Sequence, residues 1–305
     1  MTPTRRPFGL LALAAATVFA FGPADARMVE HAMGTTEVPD DPERVVVLTN
    51  EGTEAVLALG VTPVGAVRSW LGDPWYRHIE TAMDGVQVVG TEHAPTLEVI
   101  AALQPDLILG NRQRQEEVYS QLSAIAPTVL SERLRGDWQV NFALYAEALG
   151  RAEEGEEILD AFDARTRAIA DALGETLEEE ISLVRFLPSS TRIYYKDTFA
   201  GIILDQIGLA RPPAQDRDEF ADEVTRERIP EMEGDRLFYF VYEPGEGDAL
   251  SVEADWTSEP LWQSLDVVEA GNVHRVDDAV WNTAGGVLAA NRMLDDLERI
   301  YGIAE

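Results

Sequence analysis

Hydrophobic residues along the chain recur with two periods. Short apolar runs that suit buried strands alternate with longer segments in which apolar residues return every three or four positions, as in amphipathic helices. In the first half these patterns predict strands at 44–49, 61–67, 86–89, 106–109 and 128–130, and helices at 50–59, 75–83, 96–103 and 116–125. Residues 27–41 are polar, and we predict that they are irregular.

The same order of elements returns in the second half. Strands are predicted at 181–186, 192–195, 237–242 and 273–276, and helices at 199–207, 261–265 and 287–301. Strands that alternate with helices are typical of a sheet covered by helices on both faces. Two such blocks favour two doubly wound α/β lobes, at residues 27–137 and 181–305.

Residues 138–180 lie between the blocks and contain the longest segment of helical period. Residues 138–149 predict a helix that ends at Gly150. Residues 153–173 predict a second helix, about 30 Å long at 1.5 Å per residue. Its apolar residues form one stripe, at Ile158, Phe162, Ile169 and Leu173. We interpret this segment as one long rigid connection between the lobes; a crossover helix within a single large sheet is the alternative.

The first 26 residues have the composition of an export signal. Arg5 and Arg6 precede an apolar run at 10–21, and Ala24-Asp25-Ala26 fits a cleavage site. The apolar run is too short to remain as a membrane span. We therefore expect cleavage after Ala26 and a periplasmic protein. The paired arginines fit both a general secretory signal and a twin-arginine signal, so the export route stays open.

Charge and cysteine content restrict the function further. Removal of residues 1–26 changes the net charge from −31 to −32, which argues against nucleic-acid binding. The sequence has no cysteine, so we expect no disulfide and no acylated cysteine as a membrane anchor. Its basic residues are 23 arginines and Lys196. An acidic, lysine-poor surface suggests a saline habitat, where salt screens repulsion; an arginine-favouring genome is the alternative.

No pattern of catalytic or metal-binding residues stands out. The sequence lacks a nucleophile elbow, a phosphate-binding glycine loop, a zinc-protease motif and a calcium loop. We predict that each histidine is a surface or hydrogen-bonded residue rather than a metal ligand. An enzyme, a resident cofactor and a protein-held metal are therefore not expected. The four histidines are His31, His78, His93 and His274.

Arginine and aromatic residues gather at the ends of predicted strands, where ligands bind in open α/β sheets. Guanidinium groups pair with carboxylates, and aromatic rings shield a ligand from water. In so acidic a chain they would form a positive pocket for an anionic ligand. The alternative for each is a surface arginine paired with an acid, or an aromatic residue of the core. The candidates are Trp70, Arg112, Arg114, Arg185, Arg192, Tyr195, Lys196, Tyr239, Tyr242, Trp281 and Asn282.

Several segments carry a family resemblance. Residues 90–109, Gly-Thr-Glu-His-Ala-Pro-Thr-Leu-Glu-Val-Ile-Ala-Ala-Leu-Gln-Pro-Asp-Leu-Ile-Leu, and residues 118–127 resemble the periplasmic iron-siderophore-binding proteins of ABC importers. Residues 255–262 and 277–286 resemble the second lobe of the branch that binds ferric citrate and citrate-hydroxamate complexes. The likeness extends over residues 42–301. It implies the class III architecture of two α/β lobes joined by one long helix.

The resemblance also implies roles for particular residues. Arg114 matches a strand-end arginine of the family, and Trp281 matches a tryptophan near the cleft. Glu54 matches a first-lobe acid that meets arginines of the membrane permease, and Asp205 stands where the second-lobe acid is usually Glu. The siderophore's own oxygens hold the iron in this family, so no protein metal ligand is implied.

The resemblance implies partners as well. The expected protein is a soluble monomer that captures a ferric siderophore and delivers it to a permease driven by a cytoplasmic ATPase. A haem or cobalamin receptor of the same architecture is one alternative. An exported enzyme built on doubly wound lobes is another.

Overall fold

The computed structural model describes residues 26–303, and its first element is a β-hairpin. The strands β1 (Ala26–His31) and β2 (Gly34–Pro39) pair antiparallel. The prediction that residues 27–41 are irregular is therefore wrong. Val29 and Val38 are the fully buried residues of the two strands, and one buried position in each strand of a largely polar segment gives too little alternation to indicate strands. Apart from Ala26, the predicted signal peptide lies outside the described residues.

The first lobe contains one parallel sheet covered by helices. The strands are β3 (Val45–Val47), β4 (Gly65–Ala66), β5 (Gln87–Val88), β6 (Gly90–Thr91), β7 (Ala94–Pro95), β8 (Leu107–Asn111) and β9 (Thr128–Ser131). The helices are α1 (Asn50–Ala58), α2 (Leu97–Ala102), α3 (Arg112–Gln115) and α4 (Tyr119–Ser123). Five strands form the sheet in the order β5-β4-β3-β8-β9, while β6 and β7 pair separately. The predicted alternation of strands and helices is confirmed here, with one exception.

The exception is the helix predicted over residues 75–83. Only Glu80–Met83 are helical, as a single turn of 3₁₀-helix. The buried residues of this irregular segment still recur at nearly helical intervals, at Trp75, Tyr76, Ile79 and Met83. All four belong to the main hydrophobic core, so their spacing reflects burial of an irregular segment and not a helix.

Two consecutive helices connect the lobes. The helix α5 (Trp138–Ala148) is followed by α6 (Ala152–Leu173), whose 22 residues make it about 33 Å long. Both predicted helices are confirmed. Between them Gly150 has φ +74°, and a Cβ there would lie 2.2 Å from the carbonyl oxygen of Asp40, so the turn requires glycine. The ring of Trp138 packs 4.9 Å from that of Phe162, which fixes the two helices together.

The second lobe is also α/β, but its sheet is mixed. The strands are β10 (Ile181–Phe186), β11 (Thr191–Tyr194), β12 (Ala221–Val224), β13 (Arg236–Val241) and β14 (Val273–Val276). The helices are α7 (Phe199–Ile207), α8 (Asp248–Thr257), α9 (Pro260–Gln263), α10 (Asp266–Glu269) and α11 (Val287–Tyr301). The sheet order is β12-β11-β10-β13-β14. The strand β11 runs antiparallel to β10 because a loop of only four residues joins them.

The lobes share a continuous hydrophobic core. One cluster of buried side chains extends from Val29 to Leu297 and includes residues of both sheets and of α5 and α6. The helix α1 of the first lobe packs against α11 of the second. None of the helices within residues 26–303 combines the length and apolar character needed to cross a membrane.

Candidate ligand-binding cleft

A cavity of about 410 Å³ lies between the two lobes. The carboxyl ends of β3, β8 and β9 and of the second-lobe strand β10 lead into its walls. The first lobe contributes Glu51, Trp70, Glu92, Gln113, Arg114 and Arg135 to its lining. The second lobe contributes Arg185, Phe199, Phe220, Tyr242, Asn282 and Thr283. Charged groups and aromatic rings therefore face one space, as in small-molecule sites.

Arg114 reaches the cavity from the short helix α3. This helix begins directly after β8, and the side chain of Asn111 caps it by accepting a hydrogen bond from the N–H of Gln113 at 2.9 Å. The Nε of Arg114 lies 3.4 Å from Oε2 of Glu92, and the arginine side chain keeps 30% of its surface exposed. A long, weak contact and this exposure leave the guanidinium group able to bind a ligand.

Arg185 on β10 is held much more tightly. Its Nε and Nη2 donate to the two carboxylate oxygens of Asp278 at 2.6 and 3.0 Å, and Nη1 donates to the hydroxyl of Tyr194 at 3.0 Å. The guanidinium group also stacks over the ring of Tyr242, 4.9 Å from its centre. Asp278 compensates the charge of Arg185 in this buried bidentate pair. Arg185 therefore contributes a fixed part of the cavity wall and little free positive charge for a ligand.

Arg135 is a third cavity arginine, and the sequence prediction missed it. It lies in the loop between β9 and α5 with φ +88°. Its guanidinium carbon is 4.1 Å from the centre of the Phe220 ring, and Nη1 is 3.9 Å from Asp197 of the second lobe. The side chain is 44% exposed. It follows a predicted strand at 128–130, so the strand-end pattern that indicated Arg114 could also have indicated Arg135.

Two acids, Glu51 and Glu92, also line the cavity, and neither belongs to the predicted set of basic, aromatic and amide residues. Oε1 of Glu92 accepts hydrogen bonds from the backbone N–H and the side-chain amide of Asn50 at 2.8 and 2.7 Å. Oε1 of Glu51 accepts one from the amide of Asn141 at 2.8 Å. Burial raises the pKa of Glu51 well above its usual range. The cavity therefore contains acidic groups beside its arginines.

Five of the eleven candidate ligand residues line the cavity. They come from both lobes: Trp70, Arg114, Arg185, Tyr242 and Asn282. The structure thus brings together an arginine and an aromatic residue from each lobe. That they bind a ligand remains a prediction.

Three basic candidates lie outside the cavity lining, and each forms an ion pair with a nearby acid. Arg112 forms an ion pair with Glu132. Nη2 of Arg192 lies 3.7 Å from Glu223 on the neighbouring strand. Nζ of Lys196 lies 2.6 Å from Asp216. These contacts match the alternative given for each basic candidate, a surface residue paired with an acid.

Three aromatic candidates belong to the packing of the second lobe. Tyr195 is buried beneath the guanidinium group of Arg217, 4.9 Å from its ring. Tyr239 packs edge-on against Trp262 at 6.2 Å. Trp281 is fully buried and donates its indole N–H to Asp296 at 3.0 Å. The resemblance placed Trp281 near the cleft, but its ring is a core residue of this lobe.

The two predicted docking acids differ in accessibility. Glu54 is fully buried: one oxygen contacts Nε2 of His78, and the other accepts the backbone N–H of Ala289 at 2.8 Å. It joins α1 to the start of α11 and offers no carboxylate to a permease, so that role is corrected. Asp205 on α7 has a side chain that is 54% exposed, 3.9 Å from Lys196. Its docking role remains a prediction.

No metal site is formed by the protein's own residues in the described part of the chain. Within residues 26–303 no three side chains of His, Asp or Glu lie close enough together to hold an ion. His31 is hydrogen-bonded to Thr36 at 2.8 Å, and burial lowers its pKa.

Two α/β lobes, a helical connection and a cavity between the lobes define a class of binding proteins. The chain belongs to the periplasmic binding protein family, whose sequence signature matches residues 45–280. It is 50% identical over 284 residues to the probable siderophore-binding lipoprotein YfiY of Bacillus subtilis, covering 90% of this chain and 87% of that relative. It is 31% identical to the achromobactin-binding periplasmic protein of Dickeya dadantii, covering 86% and 88%.

A solved structure extends the comparison. Staphylococcus aureus SirA complexed with staphyloferrin B is similar with a TM-score of 0.82 and 34% identity, over 90% of this chain and 98% of that one. The class III fold inferred from the resemblance is confirmed. The family and these relatives are binding proteins, which agrees with the absence of a catalytic motif from the sequence.

Proposed function

We propose that the chain is the receptor of an ABC importer and captures an anionic ferric siderophore in the cleft between its lobes. The observation that carries this proposal is the meeting of Arg114, Arg135 and Arg185 with aromatic rings in one cavity of an otherwise strongly acidic protein. Arginine binds carboxylates in a planar, two-pronged geometry. A ligand rich in carboxylates is therefore the best match.

The relatives support this ligand class. SirA was solved with staphyloferrin B, and a further relative is named as an Fe(3+)-citrate-binding protein. We infer a ferric citrate or citrate-hydroxamate type of complex. The protein would recognise the outer surface of the complex and would need no resident cofactor, because the siderophore itself holds the iron.

We also propose that the protein is exported, cleaved after Ala26 and released into the periplasm. The relative YfiY is named a lipoprotein, whereas this sequence contains no cysteine that a lipid could modify. The loaded receptor would then meet a permease and its ATPase, with Asp205 as the second-lobe contact. The first-lobe contact is unassigned because Glu54 is buried.

A binding screen tests the proposal. The purified mature protein would be titrated with ferric citrate, ferric schizokinen, ferric staphyloferrin B, a ferric catecholate, haem and cobalamin, with quenching of tryptophan fluorescence as the signal. Trp70 in the cavity lining makes quenching expected. Stoichiometric binding of a carboxylate or citrate-hydroxamate complex supports the proposal. Binding of haem or cobalamin alone would contradict it.

A further inference from the structure

Glu51 is an acid in a cavity that we assign to an anionic ligand. It lies in the first turn of α1, which starts where β3 ends, and Thr49 caps this helix by accepting the N–H of Gly52 at 3.0 Å. The residue is 5% exposed and lines the cavity. A carboxylate here would repel a carboxylate-rich ligand, so the protonation state of Glu51 determines which ligands the cleft can bind.

The carboxyl group of Glu51 is incompletely hydrogen-bonded. Oε1 accepts the amide of Asn141 at 2.8 Å, and within residues 26–303 this is the one side-chain hydrogen bond recorded for the group. The same amide also donates to the carbonyl oxygen of Arg133, so Asn141 is fixed in place. Oε2 is left without a partner from the described protein, in a residue that borders the cavity.

Among residues 26–303, no arginine, lysine or histidine forms an ion pair with Glu51. Arg114 contacts Glu92, Arg185 is bound to Asp278, and Arg135 lies nearest to Asp197. The charged and titratable groups that act on Glu51 are Glu54 of α1, Glu92 of the β6–β7 hairpin, and Asp137 and Tyr145 at the start of α5 and within it; α11, which also packs against α1, contributes none. Three of these are acids. Together with burial they raise the pKa of Glu51 well above its usual range.

We propose that Glu51 contacts the bound siderophore as a proton-bearing carboxyl group and donates a hydrogen bond from Oε2 to an oxygen of the ligand. This inference rests on the proposed function and narrows its ligand class. The ligand must present at this point a carboxylate or carbonyl oxygen that iron does not occupy. A neutral carboxylic acid that serves as a hydrogen-bond donor in a buried site is a known device of proteins.

The proposal predicts the direction in which ligand affinity changes with pH. The ligand binds the protonated form of Glu51, so binding raises the pKa of this group further. Affinity should be constant below the pKa of Glu51 in the free protein and should fall above it. The limiting slope is about tenfold per pH unit, because one proton is linked to binding.

The test compares three variants with the wild type over a pH series, using ferric staphyloferrin B as the probe and fluorescence quenching as the signal. Glu51→Gln keeps a donor but cannot ionise, so its affinity should stay within about threefold of the low-pH wild type and lose the fall at high pH. Glu51→Leu removes the donor and should weaken binding about tenfold. Glu80→Gln, which changes an exposed acid outside the cavity, controls for titration of the probe itself.

Two outcomes would overturn the proposal. If Glu51→Gln loses tenfold or more at every pH, Glu51 binds an ammonium group of the ligand as a carboxylate. If Glu51→Leu binds as well as the wild type at low pH, the residue does not contact the ligand. Circular dichroism and thermal unfolding establish that each variant is folded.

A measurement without ligand separates this inference from the proposed function. Infrared difference spectra of the free protein at neutral pH should show a protonated carboxyl band that Glu51→Gln lacks. If the spectrum of Glu51→Gln keeps every protonated carboxyl band of the wild type, the proposal is overturned even if siderophores bind. Conversely, if the band is present but no ferric complex binds the wild type, the proposed function fails and Glu51 cannot be a siderophore contact.

Discussion

The two walls of the cleft hold their arginines in different ways. On the first-lobe wall Arg114 is 30% exposed and meets Glu92 at 3.4 Å, whereas on the second-lobe wall Arg185 is 9% exposed and bound to Asp278 at 2.6 Å. Arg114 can turn toward a ligand by giving up one long contact with Glu92, whereas Arg185 would have to break a buried bidentate pair with Asp278. We infer that the first lobe supplies most of the attraction for an anion and the second supplies a fixed surface.

The largest expected effect comes from breaking the fixed pair. Asp278→Ala would leave the guanidinium group of Arg185 buried with its charge uncompensated, which should lower the free energy of unfolding by about 3–5 kcal/mol. Urea denaturation measures this change. Asp171→Ala, at an exposed acid of α6, should stay within about 0.5 kcal/mol of the wild type. Equal stability of the two variants would show that the second-lobe wall is not fixed by this pair.

A matched pair of arginines tests the first-lobe wall. Arg114→Ala removes a charged donor from the cavity and should weaken binding of the best ferric ligand roughly tenfold or more, from a loss of about 1.5–3 kcal/mol. Arg112→Ala, two residues away on the same helix, should bind as well as the wild type because Arg112 pairs with Glu132 outside the lining. Fluorescence quenching measures both. If Arg114→Ala binds the ligand with unchanged affinity, the first lobe does not supply most of the attraction for the anion.

The strand-end pattern located the cleft but only part of its lining. It succeeded for Arg114 and Arg185 because the carboxyl ends of parallel strands meet at one edge of a sheet. It failed for Tyr195 and Lys196 because β11 runs antiparallel to β10, which places the end of β11 at the far edge. A short apolar run predicts neither the direction of a strand nor the face of the sheet on which a side chain such as that of Tyr239 lies.

Charge led the sequence prediction away from other cleft residues. Glu51 and Glu92 lie outside the predicted set because an acid suits an anion site only when burial and neighbouring carboxylates keep it protonated. Those causes depend on tertiary contacts. The length of α6, in contrast, is visible in its own apolar period, and α6 (Ala152–Leu173) matches the predicted 153–173 almost to the residue.

The lobes differ also in the acids that they offer to a permease. Asp205→Ala should leave ligand affinity unchanged and lower the stimulation of ATPase activity in reconstituted vesicles, with an effect below about 1 kcal/mol if the contact stays at the rim. The reduction should be greater at low salt, because salt already screens such a contact. Full stimulation by the variant at low salt would exclude Asp205 as a contact. Asp171→Ala again serves as the exposed control.

The smallest expected effect is a change in the position of the lobes when ligand binds. The helices α5 and α6 connect the lobes, both lobes share one core, and within residues 26–303 no pair of strands crosses between them to act as a hinge. We therefore expect the radius of gyration from small-angle X-ray scattering to change by less than about 1 Å on binding.

An ion pair between the lobes is a second feature that would keep the lobes at a fixed distance. A variant distinguishes its effect from that of α6 and the shared core. Arg133 of the first lobe donates to both oxygens of Asp197 of the second, at 2.8 and 3.0 Å. If α6 and the shared core set the geometry, Asp197→Ala should scatter like the wild type with and without ligand. If the variant expands in the free state and contracts on binding, the ion pair and not the helix holds the two walls at their distance.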